Sequence, residues 1–224
     1  AAHEHPELIG LGLAAVGLFL ATLLYLGWEG GVAGEKIEAG LRDVLVEHGT
    51  VLGPRHLGLL ASVGRSTVRS RPRPRVVVIS TGSELRDPGT PLGHDSIYDG
   101  NSYLLAAAAR TAGAIAYRVG IVPDEPRAFR DALSDQLVRA DLVVTSGGVS
   151  QGDYDVVKEA LAPLGTVWFG GVAMQPGKPQ GFGRVFDEQT PIITLPGNPV
   201  SAYVSFEVFV LPAIRRLMGR TPYR

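Results

Sequence analysis

The chain has 224 residues, of which 45% are hydrophobic and 19% are charged, and its formal net charge at pH 7 is −1. This is the balance of an ordinary globular protein, and the near-neutral charge gives no reason to expect a nucleic acid as a partner. The absence of cysteine excludes disulfides, thiolate catalysis and zinc–thiolate or iron–sulfur sites. Any metal ion must therefore be held by oxygen or histidine ligands.

The first part of the chain carries a long apolar segment. Residues 8–28 contain no charged side chain, and the run is about as long as a helix that crosses a bilayer. Tyr25 and Trp28 lie at its C-terminal end, where interfacial aromatic residues are usual. No Lys or Arg precedes the run, whereas basic residues such as Lys36 follow it. Residues 1–31 are therefore predicted to form a transmembrane helix, with the bulk of the chain in the cytoplasm; a buried helix is the alternative.

Residues 32–74 are predicted to connect this helix to a folded domain. A short amphipathic helix is predicted over Glu35–Leu45, because three aliphatic residues share one stripe. A second short helix is predicted over Pro54–Ala61, with proline at a favoured first-turn position and Gly64 as its stop. The basic, proline-containing stretch at 65–75 is interpreted as an extended connector.

From residue 75 to residue 220, short apolar runs alternate with longer segments that have helical character. The predicted strands cover 76–79, 117–122, 142–144, 167–169 and 192–195, and the predicted helices cover 102–112, 127–138, 155–164 and 199–217. This alternation predicts an α/β fold with a doubly wound, mostly parallel sheet and helices on both faces. Residues 221–224 are assigned to a tail. Ligands bind outside the carboxyl ends of the strands in such sheets, so the loops at that edge are the candidate site.

Three of these loops carry carboxylates. Glu84 follows the first predicted strand, Asp124 follows the second, and Asp153 and Asp155 follow the third. Carboxylates are the hard ligands that Mg²⁺ prefers. The three loops are predicted to fall on one edge of the sheet, and the loop with Asp153 and Asp155 is a candidate for holding a metal that bridges to a phosphate.

The third strand also runs directly into a glycine-rich turn. Its last residues are followed by Thr145, Ser146, Gly147 and Gly148, and then by Ser150. A strand, a glycine-rich turn and a helix in succession point several backbone N–H groups at one place, beside the positive end of the helix dipole. The segment is interpreted as a cradle for a phosphate or a carboxylate, although the two glycines are also typical of a plain tight turn.

A fourth loop, Pro196–Ser201, precedes the last predicted helix. Asn198 is predicted as the N-cap of that helix, and Pro199 occupies the first helical position. The N-terminus of the helix would supply a second set of N–H donors for an anion.

Three polar residues between these loops have two interpretations each. Lys178, which lies next to a glycine and is followed by a proline, is either a fixed point charge for a phosphate or a solvated lysine. Asp99 and Asn101 either contribute to the site or cap the helix predicted over 102–112. For Asn101 alone, capping is the preferred interpretation.

From about Gly34 to Gly219 the chain resembles the molybdopterin molybdotransferase family, which includes the C-terminal part of gephyrin. The segment GPRHLGLLASVG (53–64) is similar to the one that leads into the family's catalytic domain. The motifs that carry the resemblance are STGSEL (80–85), IYDGN (97–101), GIVPDEP (120–126), TSGGVSQGDYDVVK (145–158), PGKP (176–179) and LPGNPVSA (195–202). The resemblance implies an enzyme of molybdenum-cofactor biosynthesis that inserts molybdate into adenylylated molybdopterin and releases AMP, assisted by Mg²⁺.

The resemblance also implies roles for individual residues. Glu84, Asp124 and Asp155 match the family's active-site carboxylates and would be both catalytic residues and metal ligands. Lys178 matches a basic residue of the family's pocket and would bind anionic oxygens, while Asp155 and Glu84 would orient metal and molybdate. The loops that would bind the pterin substrate contribute Thr81, Gly82, Asp99, Asn101, Thr145, Ser146, Gly147, Gly148, Ser150, Pro196, Gly197, Asn198 and Ser201.

The sequence departs from the family pattern in two pocket residues and in its flanks. Gln175 stands where lysine is usual, and Ser83 stands where aspartate is usual. Full-length members have further domains on both sides, and their dimers complete each site with residues of the partner. The resemblance thus implies a homodimer acting on a small-molecule pterin, while the apolar run at residues 8–28 predicts a cytoplasmic domain anchored in the membrane by that helix. A membrane-tethered molybdopterin-binding or scaffolding protein with little or no catalysis is the alternative.

Overall fold

The computed structural model describes residues 37–39, 43–147, 156–187 and 189–220. These residues fall into two compact units, one containing the described residues up to Pro72 with 218–220, and the other containing Arg73–Leu217. Within the described ranges, no helix is long and apolar enough to cross a membrane. The transmembrane helix predicted from the apolar run lies outside these ranges.

The first unit contains a small hairpin and one helix. Strand β1 (Ile37–Ala39) pairs antiparallel with β2 (Asp43–Val46), and helix α1 covers Pro54–Ser62. A small hydrophobic cluster holds the unit together, and its buried members are Val46, Leu52 and Leu60.

One of the two helices predicted for this unit is wrong. The structure has β1 and β2 where a helix was predicted over Glu35–Leu45. Gly40 is a poor helix former, and Val44 and Val46 are β-branched residues that favour a strand. The helix predicted over Pro54–Ala61 is confirmed as α1.

The second unit is built on a six-stranded sheet. Its strands are β3 (Arg75–Ser80), β6 (Ile115–Arg118), β7 (Leu142–Ser146), β8 (Gly165–Gly171), β9 (Pro179–Val185) and β10 (Thr190–Leu195), and a separate parallel pair is formed by β4 (Leu85–Arg86) and β5 (Ile97–Tyr98). The order of the strands in the sheet is β6-β3-β7-β10-β9-β8. Strands β6, β3, β7 and β10 are mutually parallel, whereas β9 pairs antiparallel with both β10 and β8. The mostly parallel sheet predicted from the sequence is confirmed.

Helices cover both faces of this sheet. Helices α3 and α4 pack against the face that carries Val77 and Ile79, while α2 and α5 contact each other and strands of the sheet. Because side chains alternate along a strand, the fully buried Val76 and Val78 point to the opposite face. The helices are α2 (Asn101–Thr111), α3 (Pro126–Leu137), α4 (Val156–Leu161), α5 (Pro199–Ser205) and α6 (Leu211–Leu217), with a π-helical turn at Phe206–Val210 between the last two.

Several predicted element bounds change in the structure. The strand predicted over 117–122 begins two residues earlier and ends at Arg118, and Val122 makes only an isolated bridge to Thr81. The helix predicted over 155–164 is described from Val156 to Leu161. Strand β9 was missed because Gly181 and Gly183 obscure its alternation.

The amino ends of β3 and β7 are joined by an ion pair. The carboxylate of Asp141 accepts hydrogen bonds from the Arg75 backbone N–H at 2.7 Å and from the guanidinium nitrogens at 3.2 and 3.0 Å. Partial burial of Asp141 opposes its ionisation, but the hydrogen bonds and charge of Arg75 outweigh this effect and hold the pKa of Asp141 below its ordinary value. The pair therefore stabilises the fold only while Asp141 is ionised.

We expect Asp141→Asn to lower the free energy of unfolding at pH 7 by at most about 1 kcal/mol, because both side chains are partly exposed. The loss should shrink as the pH falls below about 4, where the wild-type carboxylate also becomes protonated. Urea unfolding at pH 7 and at about pH 3 measures both values. Asp135→Asn on the exposed side of α3 is the control, and a loss that grows in acid would contradict the prediction.

Candidate functional site

A pocket of about 120 Å³ opens at the carboxyl ends of β3 and β7. The loop after β10 and the start of α2 close two of its sides. Seven of the residues predicted from the sequence line it, and these are Thr81, Glu84, Asp99, Asn101, Ser146, Gly147 and Gly197. The structure therefore brings three of the predicted loops and the IYDGN segment to one place.

The centre of the site is the turn at Gly147, where three strand ends meet. The Thr81 N–H donates to the Ser146 carbonyl at 3.2 Å, and the Gly147 N–H donates to the Leu195 carbonyl at 3.3 Å. Gly147 has a φ of +93°, and a Cβ at this position would lie 2.6 Å from the Thr81 carbonyl oxygen. Its N–H is used within the fold and is not available to a phosphate, which revises its predicted part in the cradle. Gly148, Ser150, Asp153 and Asp155 lie outside the described residues.

Asp99 links two of the elements that border the pocket through hydrogen bonds of its carboxylate. Its side chain is buried, and its carboxylate accepts from Ser80 Oγ at 3.1 Å, from the Ser102 N–H at 3.0 Å and from Ser102 Oγ at 2.5 Å. These bonds tie the end of β3 to the first turn of α2. Of the two interpretations of Asp99, the structure supports capping of the helix.

Asn101 joins three elements and does not cap its helix. Its Nδ2 donates to Ser146 Oγ and to the Gly197 carbonyl, both at 2.7 Å. The capping interpretation preferred from the sequence is thus wrong for Asn101, because Asp99 already accepts from the N–H in the first turn. The side-chain oxygen of Asn101 and the hydroxyl of Thr81 are buried without a hydrogen-bond partner in the described part of the chain. Both residues line the pocket, so these two oxygens are candidate contacts for a polar ligand.

The loops after β3 and β6 are locked together by a reciprocal pair of hydrogen bonds. The Ser83 N–H donates to Asp124 Oδ2 at 3.0 Å, and the Asp124 N–H donates to Ser83 Oγ at 3.2 Å. Glu84, the next residue, lines the pocket, and its carboxylate lies over the backbone of Gly82. Asp124 is therefore bonded to the backbone of the Glu84 loop and is not among the residues that line the pocket. Within the described ranges, no group of three or more His, Cys, Asp or Glu residues is arranged to hold a metal ion.

Lys178 belongs to the same edge of the sheet but does not line the pocket. It directly precedes β9, whose third residue, Gly181, pairs with Thr194 near the carboxyl end of β10. Its side chain is exposed, and its aliphatic stem lies against Gly171, where a Cβ would be 3.2 Å from Lys178 Cε. The structure thus places Lys178 near the carboxyl end of β10 but not among the residues that line the pocket.

The remaining predicted residues have structural positions around the pocket. Asn198 is the N-cap of α5, as predicted, and its Oδ1 accepts from the N–H groups of Val200 and Ser201 at 3.1 and 3.2 Å. Those two N–H groups are therefore not free for an anion. Thr145 is fully buried in β7, and Pro196 is buried in the loop after β10.

Sequence reasoning missed the apolar rim of the pocket. Leu85, Ile97 and Tyr98 belong to the short β4–β5 pair and line its outer side. Ile97 and Tyr98 are 56% and 46% exposed, which is unusual for such large side chains beside a polar pocket. The Tyr98 hydroxyl donates to the Thr90 carbonyl at 2.9 Å and fixes the ring. The IYDGN motif contained this signal, because two large apolar residues directly precede its polar ones.

Residues 77–216 match the family model described as "Probable molybdopterin binding domain". The chain is 49% identical to molybdopterin molybdenumtransferase 2 of Mycobacterium tuberculosis over 199 residues, which cover 86% of this chain and 48% of that protein. Gephyrin of Dictyostelium discoideum is 36% identical, with 96% of this chain and 33% of that protein covered.

The sheet and its loops are also similar to a solved structure. The molybdopterin biosynthesis MoeA protein of Pyrococcus horikosii aligns with a TM-score of 0.69 and 34% identity, and the alignment covers 79% of this chain and 44% of that chain. The present chain thus spans about half the length of the curated molybdenumtransferase that it matches.

We expect Gly147→Ala to be clearly more destabilising than Gly89→Ala. Both glycines have nearly the same positive φ, +93° and +92°, but a Cβ at Gly89 meets no atom within 4 Å. The two variants share the backbone strain, so the additional loss, about 1 kcal/mol or more, reports the contact with Thr81. Denaturant unfolding measures both losses, and equal losses would contradict the close approach at the pocket.

Proposed function

This chain belongs to the molybdopterin-binding domain family, and on that premise we propose that it carries the catalytic domain of a molybdopterin molybdenumtransferase. The proposed reaction is insertion of molybdate into adenylylated molybdopterin with release of AMP. The observation that carries the proposal is the pocket at the ends of β3 and β7. The Glu84 carboxylate lies there with two buried oxygens, of Thr81 and Asn101, that have no hydrogen-bond partner among the residues the structure describes.

The polar and apolar groups that line the pocket suit a ligand that carries both a phosphate and a planar ring. The Thr81 hydroxyl is able to donate to a phosphate oxygen, and the Asn101 side-chain oxygen is able to accept from a ring N–H or an amine. The apolar rim of Leu85, Ile97 and Tyr98 suits the face of a planar ring. A pterin phosphate combines these features in one molecule.

We propose Mg²⁺ as the metal of this site. Mg²⁺ is usually bound through one or two carboxylates and substrate phosphates, and it keeps several waters. Glu84 and the second carboxylate oxygen of Asp124 are donors of this type on two loops that are bonded together, and Asp155 is the third proposed ligand. When bound, the ion would neutralise negative charge on the departing phosphate.

The chain's own residues bind and orient the reactants in this proposal. Lys178 is a cation at the same sheet edge and would bind anionic oxygens of the substrate. Glu84, next to the Ser83–Asp124 bonds, would orient molybdate beside the phosphoanhydride. Cleavage of that bond depends on neutralising charge more than on a protein nucleophile, which agrees with a site that offers carboxylates, hydroxyls and a lysine.

We also propose a homodimer and a membrane anchor at residues 8–28. The dimer follows from the family resemblance, and the anchor follows from the length of the uncharged run. Analytical ultracentrifugation in detergent tests the first proposal. Sedimentation with membranes that only detergent reverses supports the second, and a protein that stays in the supernatant would contradict it.

The deciding experiment uses the full chain. Calorimetry with adenylylated molybdopterin should show binding, and addition of molybdate and Mg²⁺ should release AMP. Glu84→Gln should lower kcat by about tenfold or more, equivalent to about 1.4 kcal/mol, while the dissociation constant of the pterin changes by less. Binding without AMP release would indicate a binding or scaffolding protein instead of an enzyme. Absence of binding would contradict the proposal as a whole.

Two substitutions at Asp124 separate its charge from its hydrogen bonds. Asp124→Asn keeps an oxygen that accepts from the Ser83 N–H but removes the charge, whereas Asp124→Ala removes both. If Asp124 is a metal ligand, both variants should raise the Mg²⁺ concentration for half-maximal AMP release by about tenfold, or about 1.4 kcal/mol of binding. Ser83→Ala is the control, since it removes one hydrogen bond and no charge. An Asn variant that behaves like the wild type would show that Asp124 only holds the loop.

A further inference from the structure

The loop that carries Lys178 is tied to helix α5 by one buried side chain, that of Gln180. Gln180 is the second residue of β9 and is only 4% exposed. Its Nε2 donates to the Gly177 carbonyl at 2.7 Å and lies 2.5 Å from Ser205 Oγ. Ser205 is the last residue of α5, and the first residue of that helix, Pro199, lines the pocket. One amide group therefore connects the lysine loop to the helix that borders the pocket.

The backbone is held on both sides of Lys178. Its own carbonyl accepts from the Val172 N–H at 2.8 Å, and its stem lies against Gly171. On the other side, the loop passes so close to α5 that a Cβ on Gly177 would lie 2.7 Å from Ser205 Oγ. These contacts fix the backbone and the stem of Lys178, and they leave the direction of its terminal ammonium group free.

The chemistry of glutamine explains why this residue suits the position. A primary amide carries two N–H donors, so the Nε2 of Gln180 serves both the Gly177 carbonyl and the Ser205 hydroxyl, while its Oε1 is buried without a partner in the described part of the chain. An apolar residue of the same length would fill the space but leave a buried carbonyl unpaired. Lysine has a flexible four-carbon stem, and fixing its loop beforehand lowers the ordering cost of binding an anion.

We propose that Gln180 is a positioning residue, which sets the place of the Lys178 ammonium relative to the pocket and so tunes the affinity for an anionic substrate. Gln180 acts through the Gly177 carbonyl and Ser205, and it does not touch the substrate itself. The identity of the anion rests on the proposed function, whereas the link between Gln180 and Lys178 does not.

The link is tested without any substrate. The chain has three lysines, Lys36, Lys158 and Lys178, so ¹³C-dimethylation of the full chain gives three lysine signals, and Lys178→Arg assigns the third. In Gln180→Met, which keeps the length of the side chain but has no donor, the Lys178 signal should narrow and move towards the shift of free dimethyl-lysine. The Lys158 signal, on α4, should not change, which also shows that the fold of the second unit is intact.

Ser205→Ala is the milder, matched variant. It removes one contact of Gln180 and keeps the bond to Gly177, so the Lys178 signal should move in the same direction by a smaller amount. If Gln180→Met does not fold, Ser205→Ala alone tests whether Gln180 positions Lys178. A Lys178 signal that stays at its wild-type position in every folded variant would overturn the proposal.

The consequence for binding is tested by calorimetry with adenylylated molybdopterin. Gln180→Met should raise the dissociation constant by about three- to tenfold, and in a Lys178→Met background it should have no further effect, because both changes remove the same interaction. Where AMP release is measurable, KM should rise while kcat is unchanged. Independent, additive losses from the two substitutions would overturn the proposal.

The two experiments also separate this inference from the proposed function. If the Lys178 signal moves in Gln180→Met but the dissociation constant does not change, the positioning role stands and Lys178 does not bind the pterin. If the signal is unchanged, the positioning role fails whether or not the substrate binds.

Discussion

The close approach of Gly147 to the Thr81 carbonyl is the constraint on which the site depends. Because glycine is present there, the end of β7 turns directly beside the end of β3 and donates its N–H to β10. Three parallel strands therefore finish side by side, and their loops face one small pocket. The Asn101 amide then joins the start of α2 to the end of β7 and the loop after β10, since it bonds to Ser146 and Gly197. A ligand bound here contacts loops whose relative positions are already set.

Several polar residues that the sequence suggests as ligands instead make hydrogen bonds that hold the fold around the pocket. The carboxylate of Asp99 accepts hydrogen bonds from Ser80 and Ser102, and the side chain of Asn198 caps α5. Among the described residues, the groups left for a ligand include the Glu84 carboxylate, one oxygen of Asp124 and the buried oxygens of Thr81 and Asn101. This division is expected of a site that must be ordered before its ligand arrives, because ordering during binding would reduce the affinity.

The sequence predicts the sheet better than it predicts the side-chain contacts. Four consecutive β-branched residues at 76–79 indicate a central strand, and the structure confirms it as β3. Strand β9 was hidden, because the glycines that let it approach β8 carry no apolar side chain to show an alternation. The hydrogen-bond partners of Asn101 could not be predicted from the sequence either. A side-chain amide at the start of a helix can cap that helix or bond to distant residues, and Asn101 bonds to residues 45 and 96 positions away. Ser83 was interpreted as the loss of a charged group, whereas the structure shows it bonded to Asp124.

The central claim is that the pterin binds where β3, β7 and β10 end. Hydrogen–deuterium exchange of the full chain, with and without adenylylated molybdopterin, measures this directly. The account predicts that the ligand slows exchange in the loops at 80–85, 97–102 and 195–201 and leaves β8 and the first unit unchanged. Protection confined to the other end of the sheet, around Arg75 and Asp141, or to the face of β8 and β9 that carries Trp168 and Phe182, would contradict it.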